Sequence, residues 1–202
     1  MQCPVCKMGY SEENPEDRRL HRIYHDKIVN GVPARPLKSD NVIWRHDKDR
    51  IVVVTSFSPI AQRVRAAKVA RAANQETQYD FGIYSEHERP DFRDIHLFVY
   101  CYRNRSAGLS ILERRSNVCH YTWEEFDNRI QKTLEKQVAI WSLGFTWVHK
   151  KYRRRGIGKT LLMEAVRYLR VEINEIGLYT PFTNDGESFA RYIFREGFLI
   201  AK

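Results

Sequence analysis

KKYRRRGIGKT, residues 150–160, sets two glycines among six cations. Such a mixture holds phosphate, because glycine lets the backbone approach an anion while amides and basic side chains supply positive charge. Two arrangements share this vocabulary. A nucleotide-binding P-loop reads G-x-x-x-x-G-K-[ST], so with Gly158-Lys159-Thr160 as its tail the first glycine would fall five residues before Gly158, where Arg153 stands. It also needs an acidic residue ending a later strand to hold Mg²⁺, and the apolar segment 176–180 has none. The P-loop spacing is not met. The other arrangement is a pyrophosphate cradle, in which a strand ending at Val148 runs through a turn into a helix opening at Gly156, Ile157 and Gly158. Arg153, Arg154, Arg155 and Lys159 then supply counter-charge, and the N-terminal amides and dipole of the helix face the anion.

Working outward, hydrophobic periodicity places a strand at 50–55 and a helix from Ser58-Pro59 to about residue 73. A polar stretch, 74–93, reads as loop. Strands follow at 95–102 and 108–112 around a turn at 104–107, with a third at 117–121. Residues 122–136 carry helical spacing, with Thr122 as cap and Phe126, Ile130 and Leu134 on one face. A long strand at 137–149 leads into the basic stretch. After it come a helix at 157–171, a strand at 176–180, a helix at 185–195 and a strand at 197–200. Antiparallel strands first and β-α-β-α-β last make a mixed α/β (α+β) domain.

The N-terminus is a different object. Cys3-Pro4-Val5-Cys6 precedes His21 and His25 in the pattern C-x2-C-x14-H-x3-H. The thiolates can come from one tight turn, and histidines at i and i+4 share a helix face, which makes a tetrahedral set suited to Zn²⁺. Asn14 as N-cap, Pro15 in the first turn, acidic Glu16 and Asp17, and Gly31 beyond the end delimit that helix. Arg18, Arg19, Arg22 and Lys27 offer a weak nucleic-acid contact, but one finger reads only about three base pairs. A structural or partner-docking role competes with it. Residues 32–49, with two prolines and many charges, read as a linker anchored by Trp44. The expected organisation is a finger at 1–31, a linker at 32–49 and a catalytic domain at 50–202.

A hydrophobic content of 43% supports a packed core. The most apolar uncharged run, 138–148, is eleven residues long, against about 20 for a membrane span. The start lacks a signal peptide's basic and apolar regions, so an intracellular protein is expected, cytoplasmic if prokaryotic and nuclear if eukaryotic. Cys101 and Cys119 read as buried free thiols. A net charge of +9 suits nucleic acid, an acidic partner or a polyanionic cofactor without choosing among them.

Arg153-Arg154-Arg155-Gly156-Ile157-Gly158 resembles the [QR]-x-x-G-x-[GA] signature of the GNAT acyl-CoA N-acyltransferases. Trp147-Val148 stands where that family's backbone pairs with the pantetheine arm of CoA. Over nearly the whole chain the sequence is similar to the sister-chromatid cohesion (cohesin) acetyltransferases, which carry an N-terminal C2H2 zinc finger. The resemblance rests on Cys3-Pro4-Val5-Cys6-Lys7-Met8-Gly9-Tyr10, on His21 and His25, and on Thr180-Pro181 with Asp185-Gly186-Glu187-Ser188-Phe189-Ala190. It implies the GNAT fold, a mixed, mostly antiparallel sheet with helices. It also implies acetyl-CoA as co-substrate, structural zinc, and catalysis involving Asp185. There are departures. The proline-to-aspartate spacing is one residue longer, the family's tyrosine position holds Ile193 with Tyr192 beside it, and its fourth-strand serine corresponds to Gly144.

Acetyl transfer needs a neutral amine, a donor to the developing oxyanion and an acid for the leaving thiolate. Backbone amides around Val148 are the expected oxyanion donors. Asp185 serves either as base or as the N-cap of the last helix, Glu187 is a second base, and Tyr192 a candidate acid. His149 either touches CoA or is a polar strand end. Three functions follow: acetylation of a protein lysine, acetylation of a small-molecule amine or aminoacyl-tRNA, or a zinc-finger adaptor for nucleic acid or protein with an inactive transferase domain.

Overall fold

Seven strands in one sheet carry most of the chain in the computed structural model, which describes residues 1–77, 95–133 and 135–201. They are β1 (Asn41–His46), β2 (Asp49–Thr55), β3 (Ile95–Tyr102), β4 (Arg105–Tyr121), β5 (Glu135–Val148), β6 (Gly177–Leu178) and β7 (Phe198–Ala201). The first five are antiparallel neighbours, and β6 lies parallel to β5. β7 is parallel to β6 and antiparallel to the far end of β4. Helices α4 (Ile157–Leu169) and α5 (Asn184–Ile193) pack on one face, burying Leu161, Leu162, Ala165 and Ala190 against Phe98, Leu112 and Leu178. On the other face α2 (Ile60–Thr77) lays down Ala66, Val69, Ala70 and Ala73, spaced i, i+3, i+4, i+7, so that small side chains bring the helix close to Val52, Val54 and Leu97.

The segment expected to be a linker belongs to the fold. β1 pairs with β2 through a tight turn in which Asp47 takes φ 51°, and a turn without glycine gives little sequence signal. Upstream, Val32 and Ala34 are buried, and Ser106 N–H donates to the Val32 carbonyl at 2.8 Å. Buried Arg50 donates to the carbonyls of Ala34 and Arg103, and buried Arg65 to that of Arg35. Arg65 also pairs with buried Asp40. These charged side chains therefore satisfy backbone carbonyls of a segment short of strand partners.

The expected helix at 122–136 is much shorter. α3 (Trp123–Asp127) begins as anticipated, with a capping box between Thr122 and Glu125, but Arg129 has φ 54° and Ile130 is exposed. β5 already begins at Glu135, and Leu134 lies outside the described residues, as does most of the expected 74–93 loop. The two strands expected at 108–112 and 117–121 are one. Between them, Arg114 and Arg115 lie over the rings of Trp141 and Tyr179. Cys101 is buried, whereas Cys119 is only half-buried.

α1 (Pro15–Asn30) has the anticipated cap, Asn14, whose side chain accepts from Glu16 N–H at 2.9 Å. Its C-terminal end docks on the larger domain. Arg105 pairs with Asp26 at 2.5 Å and donates to the Gly31 carbonyl, and Tyr152 OH donates to the Asn30 carbonyl at 3.1 Å. The Arg105 guanidinium holds the Asp26 carboxyl below its usual range.

Candidate active site and metal centre

β5 ends at Val148, and the chain tightens into a 3-10 turn at Lys150–Tyr152 before α4. Arg154 and Gly156 both take left-handed conformations, φ 62° and 76°. This reverses the chain so that the first amides of α4, which have no partner within the helix, face outward. A Cβ on Gly156 would meet nothing within 4 Å, whereas one on Gly158 would touch the Phe189 ring at 3.4 Å. The first glycine opens a cradle; the second lets α5 close over the helix start. An anion suits that donor set.

The basic side chains divide. Arg153 is held within the protein, its Nε donating to the Val148 carbonyl at 3.0 Å and one terminal nitrogen to Glu76 at 2.7 Å. The other lies 3.5 Å from an Asp185 oxygen. Arg155 lies over Tyr102 and Tyr152, and Lys159 reaches the Tyr192 hydroxyl at 3.4 Å. Ile157 is buried at the start of α4, and Trp147 of β5 is buried in the cluster on the α2 face.

β5 and β6 pair only at Ser142–Gly177 and Leu143–Leu178, with Tyr179 N–H reaching the Leu143 carbonyl at 3.3 Å. Beyond that, residues 145–148 stay on β4 with one edge, while among the described residues no strand lies along the other. A fork opens there, and a bulge marks its closed end. Ile111 faces Phe145 and Leu112 faces Leu143, leaving Gly144 as the extra residue. Bulges bend a strand and release its pairing, and they gather at active sites.

Thr183, not Asp185, caps α5, its hydroxyl accepting from Gly186 N–H at 3.1 Å. Asp185 is the second residue of that helix, 73% exposed, so the capping reading is overturned. Glu187 turns to Arg191, which also pairs with Asp127, and Tyr192 is 55% exposed. His149 is no strand-end bystander. It is 2% exposed, its Nε2 lies 3.0 Å from the Ile28 carbonyl, and its Nδ1 lies 3.2 Å from Lys151 N–H. A carbonyl only accepts and an amide only donates, so the ring is neutral with its proton on Nε2. Burial pushes its pKa down, as do Lys150 and Lys151 to a smaller extent, against the Ile28 contact and Glu76. Sequence reading also passed over a cluster of Glu113, Arg115 and Tyr179, drawn from β4 and the end of β6.

In the finger, Cys3, Cys6, His21 and His25 bring one ligand atom each within 4.8 Å of one another. His21 Nε2 is buried without a partner among the described residues. The Cys3 thiol is lowered to about 6, chiefly by the Cys6 backbone amide. Two thiols and two imidazoles in that span fit a tetrahedral ion such as Zn²⁺. Of the four basic residues on its helix, Arg19 is paired with Glu16 and Arg18 donates to the Glu12 carbonyl.

Glycine-led helix, forked strands and bulge define an acyl-CoA-dependent transferase, and residues 67–187 match the acetyltransferase (GNAT) family. The chain belongs to that family and is an N-acetyltransferase. Its residues 1–27 match the zinc finger of the ESCO acetyltransferases, which gives it the layout of the ECO1 and ESCO enzymes. It is 23% identical to N-acetyltransferase ECO1 of Kluyveromyces lactis over 83% of this chain and 74% of that protein. To N-acetyltransferase eco of Drosophila melanogaster it is 25% identical, over 94% of this chain but 18% of that protein. The solved xEco2 acetyltransferase domain bound to a CoA conjugate shares the fold, with a TM-score of 0.62 and 18% identity over 82% of this chain and 98% of that one. Among the described residues no helix is long and apolar enough to cross a membrane.

Proposed function

We propose that the chain acetylates a lysine side chain of a protein, as a nuclear enzyme resembling the cohesin acetyltransferases. The observation carrying this reading is the β5–β6 fork at Gly144, opening beside the glycine-led start of α4. Amides of Ile157, Gly158 and Lys159 hold the pyrophosphate of acetyl-CoA, with Arg154, Arg155 and Lys159 as counter-charge. The extended arm lies along the β5 segment that Trp147-Val148 ends, as those residues were expected to provide. When bound, acetyl-CoA supplies the activated acyl group. The remaining work is done by the protein. Backbone amides around Val148 donate to the oxygen that gains charge, and Asp185 takes the proton from the acceptor's nitrogen directly or through water. Arg153 draws Asp185 towards Val148 and so onto the rim of the fork. Zn²⁺ on Cys3, Cys6, His21 and His25 fixes the finger.

The test is transfer of labelled acetyl from acetyl-CoA to lysine peptides, free small-molecule amines and aminoacyl-tRNA, side by side. Turnover on lysine peptides at least tenfold above the other two classes is expected. A clear preference for either of the others would overturn the protein-lysine reading.

A further inference from the structure

We propose that Glu113 forms the subsite that receives the acceptor's ammonium group, at the closed end of the fork; this rests on the acetyl-transfer reading above. Glu113 stands on β4 directly opposite Ser142 of β5, next to the last β5–β6 pair. Its Oε1 accepts from the Tyr179 hydroxyl and from Arg115 at 2.8 Å. Arg115 also donates to that hydroxyl and lies 5.2 Å from the ring centre. Oε2 takes no hydrogen bond among the described residues, although the side chain is only 13% exposed. A sheltered carboxylate with half its acceptor capacity open is a place for a cation.

Gly144 leaves that carboxylate uncovered. A Cβ there would stand 3.6 Å from the Tyr179 ring and 3.7 Å from Glu113 Oε1, in ordinary contact. Any longer side chain would lie across the cluster. Ser142, sharing a face with Glu113 as its cross-strand partner, is buried with an Oγ that has no partner among the described residues. Burial and the Glu113 hydrogen bond push the Tyr179 phenol up, so it keeps its proton and remains a donor to Oε1. The site thus offers one carboxylate oxygen and a buried hydroxyl at the bulge, where an extended arm running from α4 along residues 148 to 144 would bring its reactive end.

The chemistry points to a primary alkylammonium. Arg115 already offsets part of the carboxylate's charge, and a moderate grip suits a group that must become neutral before it attacks: holding the ammonium too tightly would stabilise the ground state alone. Glu113 therefore binds and orients the acceptor, while Asp185, at the Val148 end of the fork, takes its proton through water. The two carboxylates separate in kinetics.

The experiment measures initial rates with acetyl-CoA and Nα-acetyl-lysine methylamide, together with calorimetric affinities for acetyl-CoA and, in the presence of CoA, for the same amine. Glu113→Gln should raise the acceptor KM by about 10- to 100-fold, the worth of a hydrogen bond to a charged group. Its kcat should stay within about threefold and its acetyl-CoA affinity should be unchanged. Gly144→Leu should give the same loss by covering the carboxylate, and Tyr179→Phe a smaller one. An unchanged acceptor KM in folded Glu113→Gln overturns the inference; if that variant does not fold, an unchanged KM in both Gly144→Leu and Tyr179→Phe does. Wild-type protein that acetylates no amine would sink the acetyl-transfer reading instead, and the calorimetric amine affinities of wild type and Glu113→Gln would still decide the role of Glu113.

Discussion

Gly156 and Asp185 illustrate how backbone conformation and position decide what a single residue does. At φ 76° a side chain on Gly156 is strained, but its Cβ would point into open space. Strain and charge can therefore be separated by two substitutions. Gly156→Ala should cost about 1 kcal/mol of stability and little affinity. Gly156→Asp, a residue better tolerated at positive φ, should weaken acetyl-CoA binding by more than about tenfold beyond the alanine variant, through repulsion of the pyrophosphate. Equal calorimetric affinities for the two variants would move the phosphates elsewhere. Asp185 separates in the same way. Since Thr183 is the cap, Asp185→Asn should leave the melting temperature near wild type while kcat on the acceptor falls by about 10²–10⁴. A normal kcat would leave Asp185 only as a partner of Arg153. The glycine-led start of α4 was legible because its residues are contiguous and each has a local reason. The Glu113, Arg115 and Tyr179 cluster was not, because Tyr179 lies 66 residues from Glu113 in sequence and no periodicity announces a side-chain hydrogen bond.

Among the elements, helices with a cap and a breaker were readable. α1 matches its expected start and end because Asn14, Pro15 and Gly31 act on their own neighbours. β1 was missed because its strand character comes from pairing with β2, and α3 was overextended because only tertiary contacts leave Ile130 outside. The junction of α1 with the turn before the cradle was equally hidden, since His149 and Ile28 are 121 residues apart. That junction makes the assembly sensitive to pH. The pKa of His149 is lowered in the folded protein, so the unfolded or undocked chain binds the extra proton. The contribution of the neutral ring is present above the ordinary histidine value of about 6.5 and is lost as pH falls through and below it. Protection from hydrogen exchange at residues 27–34 and 149–153, relative to intrinsic amide rates at each pH, should fall over that range in the zinc-loaded protein. His149→Gln, which can still bridge the two backbone groups without titrating, should lose that part of the pH dependence. The zinc-ligand histidines are the same in both proteins, so the difference isolates His149. Identical profiles would remove His149 from the junction's pH response.

For the molecule as a whole, the finger and the transferase domain behave as one structure rather than two beads on a linker. Three backbone carbonyls at the end of α1, those of Ile28, Asn30 and Gly31, are held by His149, Tyr152 and Arg105. The following residues add a bridge from Pro33 to Arg105 and a bond from Ala34 to Asn104. The finger's last turn thus supports the turn from which the cradle's glycines depart. A small metal module of this size draws its folding free energy from the ion, since the ligand set does not exist in the unfolded segment. Removing zinc should therefore do more than free residues 1–27. Calorimetric melting of the chelated protein, or of a Cys3→Ser/His25→Ala variant, should show the transferase transition shifted down by several degrees, with acetyl-CoA affinity reduced about three- to tenfold as the 3-10 turn loses its support. Restoring zinc should recover both in the wild type and neither in the variant. If the transferase transition and the acetyl-CoA affinity are indifferent to zinc, the contacts at Ile28 to Gly31 hold α1 in place without the ion. The finger's metal would then serve its own surface rather than the cradle.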